Sequence, residues 1–311
     1  MKKINFKISE IIQSLKIYNI LIICTIFFNG CNNTDSYSLS FGVFTDSHYC
    51  KCKPNGNRYY DNSIMKLESC IETFNNSDFD FVIQLGDIID RDFDSFKQVL
   101  KVLEKSNVRV YHVLGNADYN VDALHKHQLL DRLSLNKGYY SFTVNNWTFI
   151  ILNGNDLSYH ATSPQQEIKY EEVNKLFMQI RSARLPQAKD WNGGIGKKQF
   201  VWLRNNLENA QNNNSNVIIF CHFPLLPITR HSLWNSYEVI KLIETHSCVK
   251  AYINGHNHEG NYIFNNGIHY LTIKAMVTTP YENAFAAIKI FDDYIEINGF
   301  GREVDRKLLI R

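Results

Sequence analysis

The feature that most constrains this chain is an alternation, from Leu39 onward, of short apolar runs with helix-periodic segments. Ser40-Phe-Gly-Val-Phe-Thr45 reads as a buried strand, and Ser63–Asn75 places Ile64, Leu67, Ile71 and Phe74 at helical spacing. Phe79–Leu85 is strand-like again, Phe93–Lys105 helical, and Val108–Leu114 a strand. This β-α-β-α-β order predicts a layered α/β domain. In the second half Tyr139–Val144 and Trp147–Leu152 flank Asn145-Asn146, a hairpin signal. Val217–Cys221, Val249–Asn254, His269–Ile273, Ala284–Phe291 and Tyr294–Gly299 supply further strands. Two mixed sheets face to face with helices outside, a four-layer α/β/β/α sandwich, account for them as one domain over residues 41–311. The pattern breaks at 155–196, where a helix (Glu167–Arg184) precedes an irregular segment through Pro186 and Trp191-Asn-Gly-Gly194. Long connections at strand ends commonly carry function, so this one is expected to be a lid or substrate loop. Asn205–Asn216 reads as a helix end and solvated turn.

Residues 1–30 stand outside that pattern. Lys2, Lys3, Lys7 and Lys16 accompany an apolar run, Ile17–Phe28, that is short for a bilayer span and ends in Asn29-Gly30-Cys31. A basic leader, a short apolar stretch and a small residue at the cut make a signal peptide. The cysteine after the small residue resembles a bacterial lipobox, with Phe28 where such boxes usually carry Leu. Cys31 would then be the lipidated first residue of the mature chain, and residues 31–40 a polar tether. An uncleaved membrane anchor is the other reading. Either places the folded body in a bacterial cell envelope, outside the inner membrane. Removal of the leader takes four lysines and one glutamate and moves the formal charge from +2 to −1. With no basic tract or acidic tail, composition describes a globular protein and gives no reason to expect a nucleic-acid partner. Of seven cysteines five remain beyond Cys24 and Cys31, leaving at least one free thiol. Cys50-x-Cys52 is expected to be structural or disulfide-bonded.

Five motifs end or follow strands: Asp46-Ser47-His48, Gly86-Asp87-Ile88-Ile89-Asp90, Gly115-Asn116-Ala117-Asp118, Cys221-His222-Phe223-Pro224 and Gly255-His256-Asn257-His258. Each alone is weak. Together they bring carboxylate, imidazole and amide ligands to one sheet edge, a set suited to Mn, Fe, Zn or Mg. No Gly-x-Ser-x-Gly elbow and no P-loop is present.

In this order the motifs resemble the calcineurin-like metallophosphoesterase superfamily. The resemblance implies a β-sandwich domain with two divalent metal ions. Asp46, His48 and His258 would hold one ion, Asn116, His222 and His256 the other, and Asp87 would bridge. It further implies a metal-activated hydroxide that cleaves phosphodiester or phosphoanhydride bonds, with Asp87, Asn116 and Asp118 in the catalytic motifs. Glycines 86, 115 and 255 would allow tight turns beneath the ions. Ala117 departs from the pattern, which usually places His there to assist the leaving group. His160 in the lid and His231 after His222 are the candidate imidazoles to replace it, each also readable as an ordinary surface residue.

The run Gly56-Asn-Arg-Tyr-Tyr-Asp-Asn-Ser-Ile-Met-Lys-Leu67, the stretch Gln84–Asp90, and Asn192-Gly-Gly-Ile-Gly196 before Gln199, Trp202 and Leu203 are similar to the manganese-dependent ADP-ribose/CDP-alcohol diphosphatase branch. That branch implies small nucleoside diphosphate derivatives as substrates, and its animal members usually carry Gln where His48 stands. Arg58, Tyr59 and Tyr60 are candidates to grip a phosphate or stack on a base. The competing function is a binding or scaffold protein that kept the fold and lost turnover, which Ala117 favours. His112, His125, His127, His246 and His269 read as structural or surface residues.

Overall fold

A computed structural model of the chain describes residues 37–310; the leader, Cys31 and most of the tether lie outside the described residues. Twelve strands occur among these residues. They are β1 (Leu39–Phe44), β2 (Phe81–Gln84), β3 (Val110–His112), β4 (Tyr140–Val144), β5 (Trp147–Ile151), β6 (Asn216–Phe220), β7 (Val249–Asn254), β8 (Asn261–Asn265), β9 (Ile268–Thr272), β10 (Ala284–Ile290), β11 (Tyr294–Gly301) and β12 (Arg306–Leu309). They form two six-stranded sheets, ordered β12-β11-β10-β1-β2-β3 and β4-β5-β6-β7-β9-β8. Both are mixed. β1, β2 and β3 pair in parallel, as do β5, β6 and β7, while the β10–β12 meander is antiparallel. β1 starts at Leu39, two residues inside the segment read as tether.

Period-two side-chain alternation explains the layers. In β1, Phe41 and Val43 face the second sheet and pack with Phe81, Ile83, Phe149, Phe220 and Ile253. Phe44 faces outward with Val82, against helices α1 (Ser63–Asn75) and α2 (Ser95–Leu103) through Leu67, Phe74, Phe96 and Val99. On the far side Ile150, Leu152 and Ile219 meet Leu203, Leu207, Val239 and Ile243. Those four belong to two further helices. After α3 (Glu167–Ser182) in the insertion come α4 (Lys197–Asn212) and α5 (Ser236–Ile243). The four-layer sandwich follows: helices, sheet, sheet, helices.

Some boundaries differ from expectation. α4 continues through Asn212, so most of Asn205–Asn216 is helix rather than turn. β8 and β12 were not anticipated, although Asn266-Gly267, both with positive φ, turns the chain from β8 into β9 as that dipeptide commonly does. The insertion is better packed than its sequence suggests. Its Leu157, Val173, Phe177 and Ile180 make a small separate core with Trp234, which lies outside the insertion, and Leu157 and Gly194 exchange both backbone hydrogen bonds at 2.9 and 2.8 Å. Cys50 and Cys52 form a disulfide, and Cys70, Cys221 and Cys248 are free and buried.

Candidate metal centre and cleft

The motif residues follow β1, β2, β3, β6 and β7, all at carboxyl ends, so both sheets deliver them to one rim. Asp46, His48, Asp87 and His256 hold φ between 46° and 66°, a region costly for residues with a Cβ. Four such residues at one rim mark it as a place where geometry is enforced by the surrounding fold. Of the expected glycines, Gly86 has φ 100°, whereas Gly115 is required by space: a Cβ there would lie 2.1 Å from Asp87 Oδ1.

Two groups of ligand atoms gather, Asp46 with His48 and His258, and Asp87 with His222 and His256, each within 4.8 Å. Asp87 Oδ2 lies 3.3 Å from His48 Nε2 and 3.2 Å from His222 Nε2, so one oxygen faces both groups. Its Oδ1 accepts the Ala117 N–H at 2.6 Å. Asp46 Oδ1 lies 3.4 Å from both His48 Nε2 and His258 Nε2, while Oδ2 accepts Thr45 Oγ1 at 2.6 Å and the His256 N–H at 3.0 Å.

Outer partners set the imidazole tautomers. His222 Nδ1 donates to the Leu85 carbonyl at 2.9 Å, which leaves the Nε2 lone pair facing Asp87. His256 Nε2 donates to Asn192 Oδ1 at 2.9 Å, which turns the Nδ1 lone pair inward. Asn192 is itself held, its amide donating to the Gln187 and Arg230 carbonyls at 3.0 and 2.8 Å. The inward nitrogens of His222 and His256 then lie 3.1 Å apart. Two acceptors that close require a cation or a proton between them. Asp46 Oδ1, both ring nitrogens of His48 and Asn116 Oδ1 are also buried without a hydrogen-bond partner. Buried polar atoms are rarely left so, and the gathering of one ligand atom from each of Asp46, His48 and His258 and from each of Asp87, His222 and His256 fits divalent ions.

Charge distribution says the same. Burial alone would depress His48, yet the carboxylates of Asp87, Asp46 and Asp90 carry it up to about 10. Burial also opposes protonation of His222, but Asp87 and Asp46 raise it to about 9. Burial and the neighbouring His222 push His256 well below the usual imidazole range, and burial lowers His258. Without metal, protons on His48 and His222 occupy the positions that cations would take.

Asp118 differs from its expected role. Fully buried, it accepts the N–H groups of Asp87, Ile88, Ile89 and Gly115 at 2.8–3.3 Å, so both oxygens serve the backbone loop carrying Asp87. It is a positioning residue. Burial and the adjacent Asp87 charge raise its carboxyl to about 7, opposed by those amides.

A cleft of about 350 Å³ opens over the centre, lined by Asp87, Asn116, His256 and His258 and by Arg58, His160, Trp191, Arg230 and His231. Arg58, His160 and His231 are therefore brought to the site. Tyr60 is not: it is 1% exposed, packed with Cys50, Ala275 and Val277, and its hydroxyl accepts Arg91 at 3.0 Å. A side chain filled into the core cannot stack on substrate. Tyr59 does not line the cleft either; its N–H ties the loop to the Val277 carbonyl at 3.0 Å. Sequence reasoning placed Trp191, Asn192 and Asp90 in motifs without giving them a role, and did not single out Arg230. Arg230 lies over the Trp191 ring at 5.0 Å, and Asp90 Oδ2 is 3.3 Å from His48 Nδ1. The Gly-Asp-x-x-Asp spacing could have flagged Asp90; nothing local distinguishes Arg230.

The chain belongs to the calcineurin-like phosphoesterase family, whose model matches residues 39–260. Among its relatives, the manganese-dependent ADP-ribose/CDP-alcohol diphosphatase of Arabidopsis thaliana is 31% identical over 85% of this chain and 94% of that protein. The Mus musculus protein of the same name is 29% identical over 86% and 92%. A solved dimetal phosphatase from Danio rerio superposes with a TM-score of 0.82 at 26% identity, covering 89% of this chain and all of that one. Fold, ligand groups and family make the chain a metallophosphoesterase, a hydrolase of phosphate ester or anhydride bonds that uses two divalent ions. When bound, such a pair lowers the pKa of a water and screens phosphoryl charge.

Proposed function

We propose that this protein hydrolyses the pyrophosphate bond of small nucleoside diphosphate derivatives. The observation that carries the reading is a single carboxylate oxygen, Asp87 Oδ2, facing both ligand groups at the floor of a cleft walled by two guanidinium groups and an indole. Asp46, His48 and His258 would hold one ion and Asn116, His222 and His256 the other, with Asp87 shared. Arg58 and Arg230 can pair with phosphate oxygens, and Trp191 offers an aromatic face to a base. The size of the cleft suits a small ligand. Similarity to the manganese-dependent diphosphatases supports manganese and this substrate class.

The leader motif supports a lipid-anchored protein of a bacterial envelope, attached through Cys31 and facing away from the cytoplasm. Among the described residues no helix is long and apolar enough to cross a membrane. A binding-only scaffold is not favoured, because the ligand side chains and the partners that orient them are assembled together.

The test is hydrolysis by the purified chain with Mn²⁺, offering ADP-ribose, a CDP-alcohol, bis-p-nitrophenyl phosphate and simple phosphomonoesters. The expected result is metal-dependent cleavage of the pyrophosphates, lost in Asp87→Asn. Turnover of monoesters with none of the pyrophosphates would overturn the substrate class. Incorporation of labelled palmitate or glycerol into the wild-type protein but not into Cys31→Ser tests the anchor, and equal labelling of the two would overturn it.

A further inference from the structure

The turn bearing Ala117 has no group that can give a proton to a leaving oxygen. Ala117 ends in a methyl, Asn116 is an amide, and Asp118 has both oxygens on backbone amides. The segment carrying His160 is fastened to that same turn. Asn155 Nδ2 donates to the Leu114 carbonyl at 3.2 Å, Lys126 Nζ donates to the His160 carbonyl at 2.5 Å, and Ala161 packs in the apolar cluster of Tyr119 and Val121. His160 thus shares the cleft wall with Asp87 and Asn116. Among the described residues neither of its ring nitrogens has a hydrogen-bond partner. His231 also lines the cleft, its ring 5.5 Å from that of His256.

We propose that His160 is the proton donor to the leaving group, taking the task that Ala117 cannot perform. In that step a water that has given one proton to solvent forms, through its oxygen, a new bond to phosphorus. The bond from phosphorus to the leaving oxygen breaks with its electron pair, and the imidazolium proton of His160 passes to that oxygen. The neutral imidazole regains a proton from solvent. Burial lowers the His160 pKa and Lys126 reinforces this, while Asp87, Asp190 and Asp90 oppose it. A group so placed is a stronger acid than free imidazole, and its contribution is lost as pH rises through a value below the usual imidazole range.

The inference rests on the phosphohydrolase reading, and one set of variants separates the two. The full-length chain with Mn²⁺ is assayed on bis-p-nitrophenyl phosphate, whose leaving group needs little help, and on diphenyl phosphate, whose leaving group needs a proton. His160→Ala is expected to lose on the order of a hundredfold or more on diphenyl phosphate and only a few-fold on the nitrophenyl ester. Its manganese content should match the wild type. The alkaline decline of diphenyl phosphate hydrolysis should disappear in the variant, and Ala117→His in the His160→Ala background should restore much of the loss. Equal losses on both esters, reduced metal content, or a leaving-group-dependent loss in His231→Ala instead would overturn the proposal. A wild type that cleaves neither these esters nor the pyrophosphates would bring down the phosphohydrolase reading with it.

Discussion

At the scale of residues, the centre is organised by what each polar atom does with its second partner. Thr45 and the His256 amide take one oxygen of Asp46, Ala117 takes one of Asp87, and Leu85 and Asn192 take the outer nitrogens of His222 and His256. What remains points inward. Because His48 and His222 are raised to about 10 and about 9, each carries a proton at neutral pH when no metal is bound. A metal needs the neutral imidazole, so binding must expel protons. Manganese affinity is therefore expected to rise with pH from 6 to 8. Calorimetric titrations in buffers of differing ionisation enthalpy should show net proton release. Affinity independent of pH over that range would contradict the assignment of these two imidazoles as ligands. The six residues that gather in the two groups were legible in the sequence because each sits in a short motif at a strand end. The roles of Tyr60 and Asp118 were not, since a motif says which residues are near a site but not which way they face. Tyr60 faces the core and Asp118 faces the backbone beneath Asp87.

At the scale of elements, the insertion and the sandwich are coupled through Asn192, which joins the Gln187 and Arg230 carbonyls to the His256 ring. Asn192→Ala removes the acceptor that fixes the His256 tautomer. It is expected to weaken metal binding by roughly 10–100-fold, as loss of such outer partners typically does. Calorimetry reads the affinity, and an unchanged value would show that another group orients the ring. A second element-level constraint lies where α1 crosses β1. A Cβ on Gly42 would stand 2.7 Å from the Phe74 ring, which itself packs edge-on against Phe79 and Phe285. Gly42→Ala should therefore destabilise the fold by about 1–3 kcal/mol through overpacking, measured by chemical denaturation. No change would mean that α1 can shift freely. α1 was readable to its ends because its apolar residues keep strict helical spacing over thirteen residues. β8 was missed because it is a sheet edge with exposed Tyr262 and Phe264, so burial leaves no continuous apolar run. The eight residues of α5 are too few to show a period.

At the scale of the molecule, two sheets share one apolar interior and present their parallel strand ends on one rim. The interior makes the rim rigid enough to hold four ligand residues at positive φ. Chelation should therefore leave the sandwich folded while lowering its thermal midpoint, because an ion that binds only the folded state stabilises it by mass action. Added Mn²⁺ should raise that midpoint in a concentration-dependent way, and a midpoint indifferent to both EDTA and Mn²⁺ would argue against a resident metal. The sandwich could be read from the alternation of apolar runs and helices. The cleft could be read only in part, through Arg58, His160 and His231; Trp191 and Arg230 come from separate segments whose meeting no local pattern records.

The most direct test of the two-metal centre is to count ions. Manganese per chain, measured by mass spectrometry after loading and desalting, should be two in the wild type. Asp87→Asn weakens the one ligand shared by both groups, so it should retain fewer. One ion or none in a wild type that is folded, or two ions undiminished in Asp87→Asn, would contradict the account.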